Sequence, residues 1–374
     1  MTVTSICEVN GAGVQVTAVA VSDASAGLDC LNVEGRNVIK RYLNNTSEKT
    51  DKPVAGNFAI LELDPNDRIP PLRDMVGEPP HMMAAYREPR VIVACGDERI
   101  ESTEVRYITV EKFTCAEFTD PASGNVLTYW LYTPGNLAEK ETCPLITFIH
   151  DAGACSEDKR TGLLQGNGGI VWAEDKWQAD HPCFVLVPQY PRAIVDDDWN
   201  TTWEVEATNA LIDHIAASYP VDTRRLYLTG QSMGCMTSCR LMALHPHKWA
   251  GAYLVAGQWE PTQMTDVTDI PIWYLVSDKD EKALPGMNAI AAAWEDQGVC
   301  ITRGAFDVLD GPATVNGAAQ TLAASNSKVL CTTLTGDGIS PPGMPRFPGV
   351  HHISTWIHAY GIPPIREWLF SHRR

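Results

Sequence analysis

Leu226-Tyr227-Leu228-Thr229-Gly230-Gln231-Ser232-Met233-Gly234 sets an apolar, β-type run directly against Gly-x-Ser-x-Gly. This is the sequence form of a nucleophile elbow, a sharp strand-to-helix turn that lifts a serine hydroxyl clear of the backbone. Only small flanking residues tolerate such a turn, and Gly230 and Gly234 supply them. The pentapeptide alone is a weak signal. Its surroundings strengthen it, because a helix-like run from Cys235 to Leu244 follows the serine and stops at His245-Pro246. Ser232 is therefore read as a nucleophile rather than as an ordinary serine in a Gly-rich turn.

Around the elbow the chain alternates strands with helices. Leu127 to Tyr132 reads as an early strand ended by Thr133-Pro134-Gly135, and Pro144 to Ile149 and Phe184 to Pro188 are apolar throughout. Continuous apolar runs suit strands buried on both faces. Glu204 to Ala217 carries helical spacing. Leu226 to Thr229, Gly251 to Val255 and Ile272 to Val276 continue the strand series, and Ile362 to Phe370 predicts a last helix with Ile365, Trp368 and Leu369 on one face. Such alternation predicts an α/β fold, a mostly parallel sheet flanked by helices, and with the elbow it predicts the α/β-hydrolase arrangement over 111–374.

Residues 1–110 differ in texture. Val14 to Val21, Asn37 to Leu43, Phe58 to Leu63 and Arg90 to Ala94 are short β-type runs separated by Gly, Asn, Asp and Pro clusters. They predict an N-terminal β-sandwich domain with no catalytic constellation, and the Pro-rich stretch from Ile69 to Pro80 reads as a long loop.

With 374 residues the chain has ample length for a buried core. Its formal charge of −17 argues against a nucleic-acid partner or an anionic membrane surface, since phosphate binding needs a basic face. No apolar run reaches the length of a membrane-crossing helix, and Met1-Thr2-Val3-Thr4-Ser5 lacks the features of a signal peptide. The eleven cysteines form no Cys-x-x-Cys pair. They read as reduced, buried thiols, which with the missing signal gives a cytoplasmic expectation, and no metal or other cofactor is implied.

A serine hydroxyl needs a histidine base that is itself held by a carboxylate. In hydrolases of this arrangement the order along the chain is Ser, Asp or Glu, His. Asp280, just past the strand ending at Val276, is the favoured acid, with Asp278 as the fallback. Four histidines follow. His372 lies in the C-terminal tail and His358 within a helical segment from Ser354 to Tyr360, which leaves His351 and His352 in the loop entering that segment. In an extended loop neighbouring side chains point to opposite sides, so only one of the two can meet both Ser232 and Asp280. The oxyanion needs two N–H donors, for which Met233 and Ala152 are the candidates. His150 reads as the residue that ends its strand and orders the next loop.

Several motifs then recur in one order: Ile149-His150-Asp151-Ala152-Gly153, Trp172-Ala173 with Pro188-Gln189-Tyr190-Pro191, Thr229 to Gly234, His352-Ile353-Ser354-Thr355-Trp356 with Ala359-Tyr360, and Glu367-Trp368-Leu369-Phe370. Together they resemble the bacterial α/β-hydrolase esterases of the polyhydroxybutyrate-depolymerase and feruloyl-esterase group. Val33-Glu34-Gly35-Arg36 and Phe58 to Leu63 resemble the N-terminal immunoglobulin-like domain that some members carry. The resemblance implies a carboxylic ester hydrolase with an acyl-enzyme intermediate, and it selects His352 over His351 by its spacing to Trp356. Two departures stand out. Asp151 occupies the first glycine of the family's His-Gly-x-Gly, and is expected to point away from the oxyanion site. Cys235 replaces the last glycine of Gly-x-Ser-x-Gly-Gly and should crowd the elbow.

Trp199, Trp203 and Trp259, with Trp172 and Tyr190, are candidates for contacting substrate at the sheet's C-terminal edge, although tryptophans more often pack a core. The expected partner is a small or polymer-derived ester, with self-association through the N-terminal domain. The competing readings are a peptidase of the prolyl-oligopeptidase type, for which the N-terminal region is too short to form a propeller, and a binding protein with a decayed site.

Overall fold

The computed structural model describes residues 1–374 apart from 24–26, 68, 70, 79–82, 136–140, 342–343 and 345. Among the described residues, ten short strands precede residue 110: β1 (Val3–Asn10), β2 (Gly13–Ser22), β3 (Asn32–Val33), β4 (Val38–Asn44), β5 (Phe58–Leu63), β6 (Arg73–Val76), β7 (Met83–Tyr86), β8 (Ile92–Cys95), β9 (Glu98–Glu101) and β10 (Glu104–Tyr107). A five-stranded sheet runs β10-β1-β2-β5-β4, and β3-β8-β9 form a smaller one. Period-two alternation sorts their side chains. Val19, Val21 and Leu61 share a core with Val33 and Val93 of the smaller sheet, while Ile6, Ala18, Ala20 and Ile60 turn to the opposite face. None of these strands enters the central sheet.

Two expectations for this region are corrected. The Ile69–Pro80 stretch is not all loop, because β6 lies within it and pairs antiparallel with β7. The cysteines are not all thiols either, since Cys30 and Cys95 form a disulfide. The pairing of β3 with β8, Asn32 opposite Ala94, brings these two together across 65 residues of sequence, a proximity that spacing alone does not reveal. The other nine cysteines are free and mostly buried.

Beyond residue 110 the chain contains β11 (Phe113–Thr119), β12 (Val126–Tyr132), β13 (Cys143–Ile149), β14 (Phe184–Gln189), β15 (Val221–Gln231), β16 (Gly251–Val255), β17 (Ile272–Ser277), β18 (Ile301–Asp307) and β19 (Val329–Thr335). They make one sheet in the order β11-β12-β14-β13-β15-β16-β17-β19-β18. Only β12 runs against its neighbours; the remaining pairs are parallel. Every residue of β13, β14 and β17 is buried, as their unbroken apolar runs require.

The helices are α1 (Thr161–Leu164), α2 (Asp175–Asp180), α3 (Trp203–Ser218), α4 (Met233–Leu244), α5 (Ala283–Glu295), α6 (Gly311–Ala323), α7 (Val350–Ala359) and α8 (Pro363–Phe370). Leu145, Leu186, Leu228 and Leu254 face α3, α4 and α5. Ile146, Val185, Tyr227 and Tyr253 face the other way, into a core shared with α6, α8 and the N-terminal sandwich. The two regions are thus packed through one continuous apolar interior. Their backbones also meet closely, for a Cβ at Gly11 would stand 1.9 Å from the Ile357 carbonyl oxygen of α7.

Candidate active site

β15 delivers Ser232 to the centre of the sheet's C-terminal edge. The serine backbone sits at φ 51 and ψ −118, a conformation costly to an L-residue, and its N–H donates to the Val255 carbonyl at 3.0 Å. The turn closes only because Gly234 lacks a side chain: a Cβ there would stand 1.9 Å from the Ile149 carbonyl oxygen. The crowding expected from Cys235 is absorbed by Gly257, where a Cβ would lie 2.5 Å from that of Cys235. Burial holds the Cys235 thiol well above its ordinary range, so it stays protonated.

Three side chains converge here. Ser232 Oγ lies 2.9 Å from His352 Nε2, and His352 Nδ1 lies 2.6 Å from Asp280 Oδ2. Asp280 follows β17 by a tight turn and is buried, whereas Asp278 is exposed and binds through its backbone to Leu334. The second Asp280 oxygen, Oδ1, accepts the N–H groups of Lys282 and Ala283 at 3.1 and 2.9 Å. Burial would raise this carboxyl, but the hydrogen bond from His352 and the two backbone donors outweigh it and hold it below the usual carboxylate range.

His351 and His352 do not lie in an extended loop as the sequence suggested. α7 begins at Val350 and places both on its first turn. Helical geometry still separates the two rings, by about 100° around the axis. His352 meets Trp356 one turn on, edge to face at 5.2 Å, while His351 lines a separate cavity with Asp337, Ser340 and Arg346. His358 bonds to the Ile339 carbonyl.

After β13 the chain turns through Ala152–Ala154, a short 3-10 segment. His150 is fully buried; its Nε2 accepts the Tyr190 N–H at 3.1 Å and its Nδ1 lies 2.8 Å from the Asp151 carbonyl. Burial lowers its pKa, and the two bonds require the neutral ring with the proton on Nδ1. Within this turn, Gly153 N–H goes to Asp151 Oδ1, Ala154 N–H to the Asp151 carbonyl and Cys155 N–H to the Ala152 carbonyl. Ala152 and Met233 N–H have no acceptor among the described residues. Asp151 itself is buried, with Oδ2 held by Gln231 Nε2 at 2.9 Å. Gln231 stands next to the serine in the elbow, and its contact with a carboxylate 80 residues earlier leaves no mark in the sequence pattern.

The tryptophans divide. Trp259 is 1% exposed, bonds through its indole to Gln263 and packs in the core, which removes it as a substrate contact; Trp172 and Tyr190 are fully buried as well. Trp199 packs edge-on against Trp259 at 5.4 Å, and Trp203 lines a cavity with Gln189 and Arg192 at the end of β14.

A mostly parallel sheet with a serine elbow at the end of its central strand and helices on both faces defines an α/β-hydrolase, here preceded by an immunoglobulin-like sandwich. Residues 2–94 match the family model described as "Esterase Ig-like N-terminal domain", and residues 176–359 match the one described as "Putative esterase". The chain thus matches an esterase-type immunoglobulin-like domain at its N-terminal end and an esterase domain beyond it. The "Putative esterase NocK" of Nocardia uniformis subsp. tsuyamanensis is 28% identical over 187 residues. That match takes in 47% of this chain and 53% of the relative, so it spans about half of the relative's length. A solved structure described as "Crystal Structure of a Thermostable Esterase" superposes over 100% of both chains with a TM-score of 0.81 at 22% identity, a likeness of fold.

Proposed function

We propose that this chain hydrolyses carboxylic esters through a covalent acyl-enzyme on Ser232. The reading rests on one observation, the continuous relay from Ser232 Oγ through His352 to Asp280 at 2.9 and 2.6 Å. His352 Nε2 takes the hydroxyl proton as Oγ bonds to the ester carbonyl carbon. The resulting oxyanion is held by Met233 and Ala152 N–H. As the tetrahedral species collapses, the C–O bond to the alcohol breaks and His352 returns the proton to the departing oxygen. Water then attacks the acyl group by the same route, giving the acid and free Ser232. Asp280, kept ionised by its donors, fixes the proton on Nδ1 and stabilises the imidazolium as it forms.

A chromogenic short-chain ester with wild-type protein and Ser232→Ala tests this. The variant should fold normally and lose on the order of 10⁵-fold or more in kcat, because the other two residues act only through the nucleophile. A phosphonate reagent selective for activated serines should label Ser232 in the wild type. Turnover near wild type in Ser232→Ala ends the proposal.

A further inference from the structure

The β6–β7 hairpin belongs to neither large sheet of the chain, yet it reaches the catalytic edge. β7 packs on the Ala152–Ala154 turn and on α1. Its register sets Met75 opposite Ala84 and Val76 opposite Met83. Directly opposed residues share a face of a sheet, and alternate residues along a strand do too. One face therefore carries Arg73, Met75, Ala84 and Tyr86, and the other carries Asp74, Val76, Met83 and Ala85.

Burial identifies the inward face. Ala84 is 2% exposed, and burial raises the Tyr86 phenol, with the Asp151 carboxylate adding to the rise. Met83, on the outer face, is 40% exposed. Met75 breaks the pattern, for it lies on the inward face and is still 40% exposed. It overhangs the catalytic edge instead of being covered by it. Its terminal methyl stands 3.8 Å from where a Cβ on Gly153 would be. Gly153 follows Ala152, and consecutive Cα atoms are only about 3.8 Å apart. A flexible thioether left half in solvent beside that turn is an adaptable apolar surface.

We propose that Met75 is a specificity-determining residue, an apolar wall contributed by the N-terminal domain that takes the hydrocarbon chain of the ester. The inference rests on the reading of Ala152 as an oxyanion donor.

Two 4-nitrophenyl and alkyl ester series test the proposal, one lengthening the acyl chain from acetate to octanoate and one lengthening the alcohol at fixed acyl group. Met75→Ser should lower the long-to-short ratio of kcat/KM about 10-fold in one series, as expected for losing apolar contact with one or two methylenes. Met75→Leu should restore much of it, and Met83→Ser on the outer face should leave the ratio as in the wild type. A long-to-short ratio unchanged from the wild type for Met75→Ser in both series overturns the proposal, as does an equal shift from Met83→Ser. Failure of the wild type to hydrolyse any ester overturns the serine-esterase reading instead, so the two are separable.

Discussion

Replacing Asp280 by Asn should disable the site by reversing one hydrogen bond without disturbing the fold. The carboxylate has two distinct jobs. Oδ1 accepts from Lys282 and Ala283 N–H, and Oδ2 accepts from His352 Nδ1. An asparagine has one acceptor oxygen, and two backbone donors compete for it against one imidazole. The oxygen therefore takes the Oδ1 position and the NH₂ faces Nδ1. Nδ1 must then accept, which moves the ring proton to Nε2, pointing at Ser232 Oγ 2.9 Å away. A protonated Nε2 cannot receive the hydroxyl proton. The equivalent inversion in a serine protease triad costs about 10⁴ in kcat, near 5.4 kcal/mol of barrier. The two backbone hydrogen bonds from Lys282 and Ala283 survive, so the melting temperature should stay near wild type, whereas Asp280→Ala also loses them, at roughly 1 kcal/mol each. The assay is kcat on a chromogenic acetate at neutral pH, with a thermal melt of each variant. A folded Asp280→Asn protein losing less than about 10-fold refutes the reasoning.

His352→Ala should abolish ester turnover while His351→Ala retains most of it, because only His352 bridges Ser232 and Asp280; loss confined to His351→Ala reverses the assignment. Breaking the Cys30–Cys95 link, which spans 65 residues of sequence, should destabilise the chain by up to about 4 kcal/mol from the entropy of the opened loop. Cys30→Ser should accordingly melt lower, and alkylation of the denatured, unreduced wild type should count nine thiols, with eleven refuting the link.

What the sequence makes legible here is local. Leu127 to Tyr132, Phe58 to Leu63 and Gly251 to Val255 coincide with strands to within a residue, since burial on one or both faces imposes its own periodicity. The elbow is equally readable because its geometry demands particular residues at fixed spacing. By contrast, β18 and β6 go unread. Ile301–Asp307 at the sheet's edge is mostly half-exposed, and Arg73–Val76 opens on two charged residues and is largely exposed, so neither presents a continuous apolar run. The loop reading of His351 and His352 fails for a related reason. The Pro- and Gly-rich stretch up to Gly349 looks like a loop to its end, yet Gly349 at φ 87 is the turn from which α7 starts. Trp259 misleads because a large aromatic near an edge loop looks the same in sequence whether it lines a cleft or fills a core.

Long-range compensation is the part no local pattern carries, and it resolves both departures from the family pattern. Asp151 has φ −74 and ψ 168, extended backbone open to any residue, so glycine is dispensable there on conformational grounds. What the position requires is a place for the side chain. Asp151 finds it by turning its carboxylate onto Gly153 N–H and Gln231 Nε2, two donors that together satisfy a buried charge. In doing so it occupies the Gly153 donor and leaves Ala152 N–H uncommitted, while its charge is tied to the elbow beside the serine. Gln231 is thus the partner that makes Asp151 tolerable, as Gly257 is for Cys235. Each departure is matched by a residue distant in sequence and adjacent in the fold, so neither can be judged from its own motif. A carboxylate at position 151 reads as damage when the loop is taken alone; with Gln231 in place it becomes the brace between the two segments whose N–H groups we assign to the oxyanion.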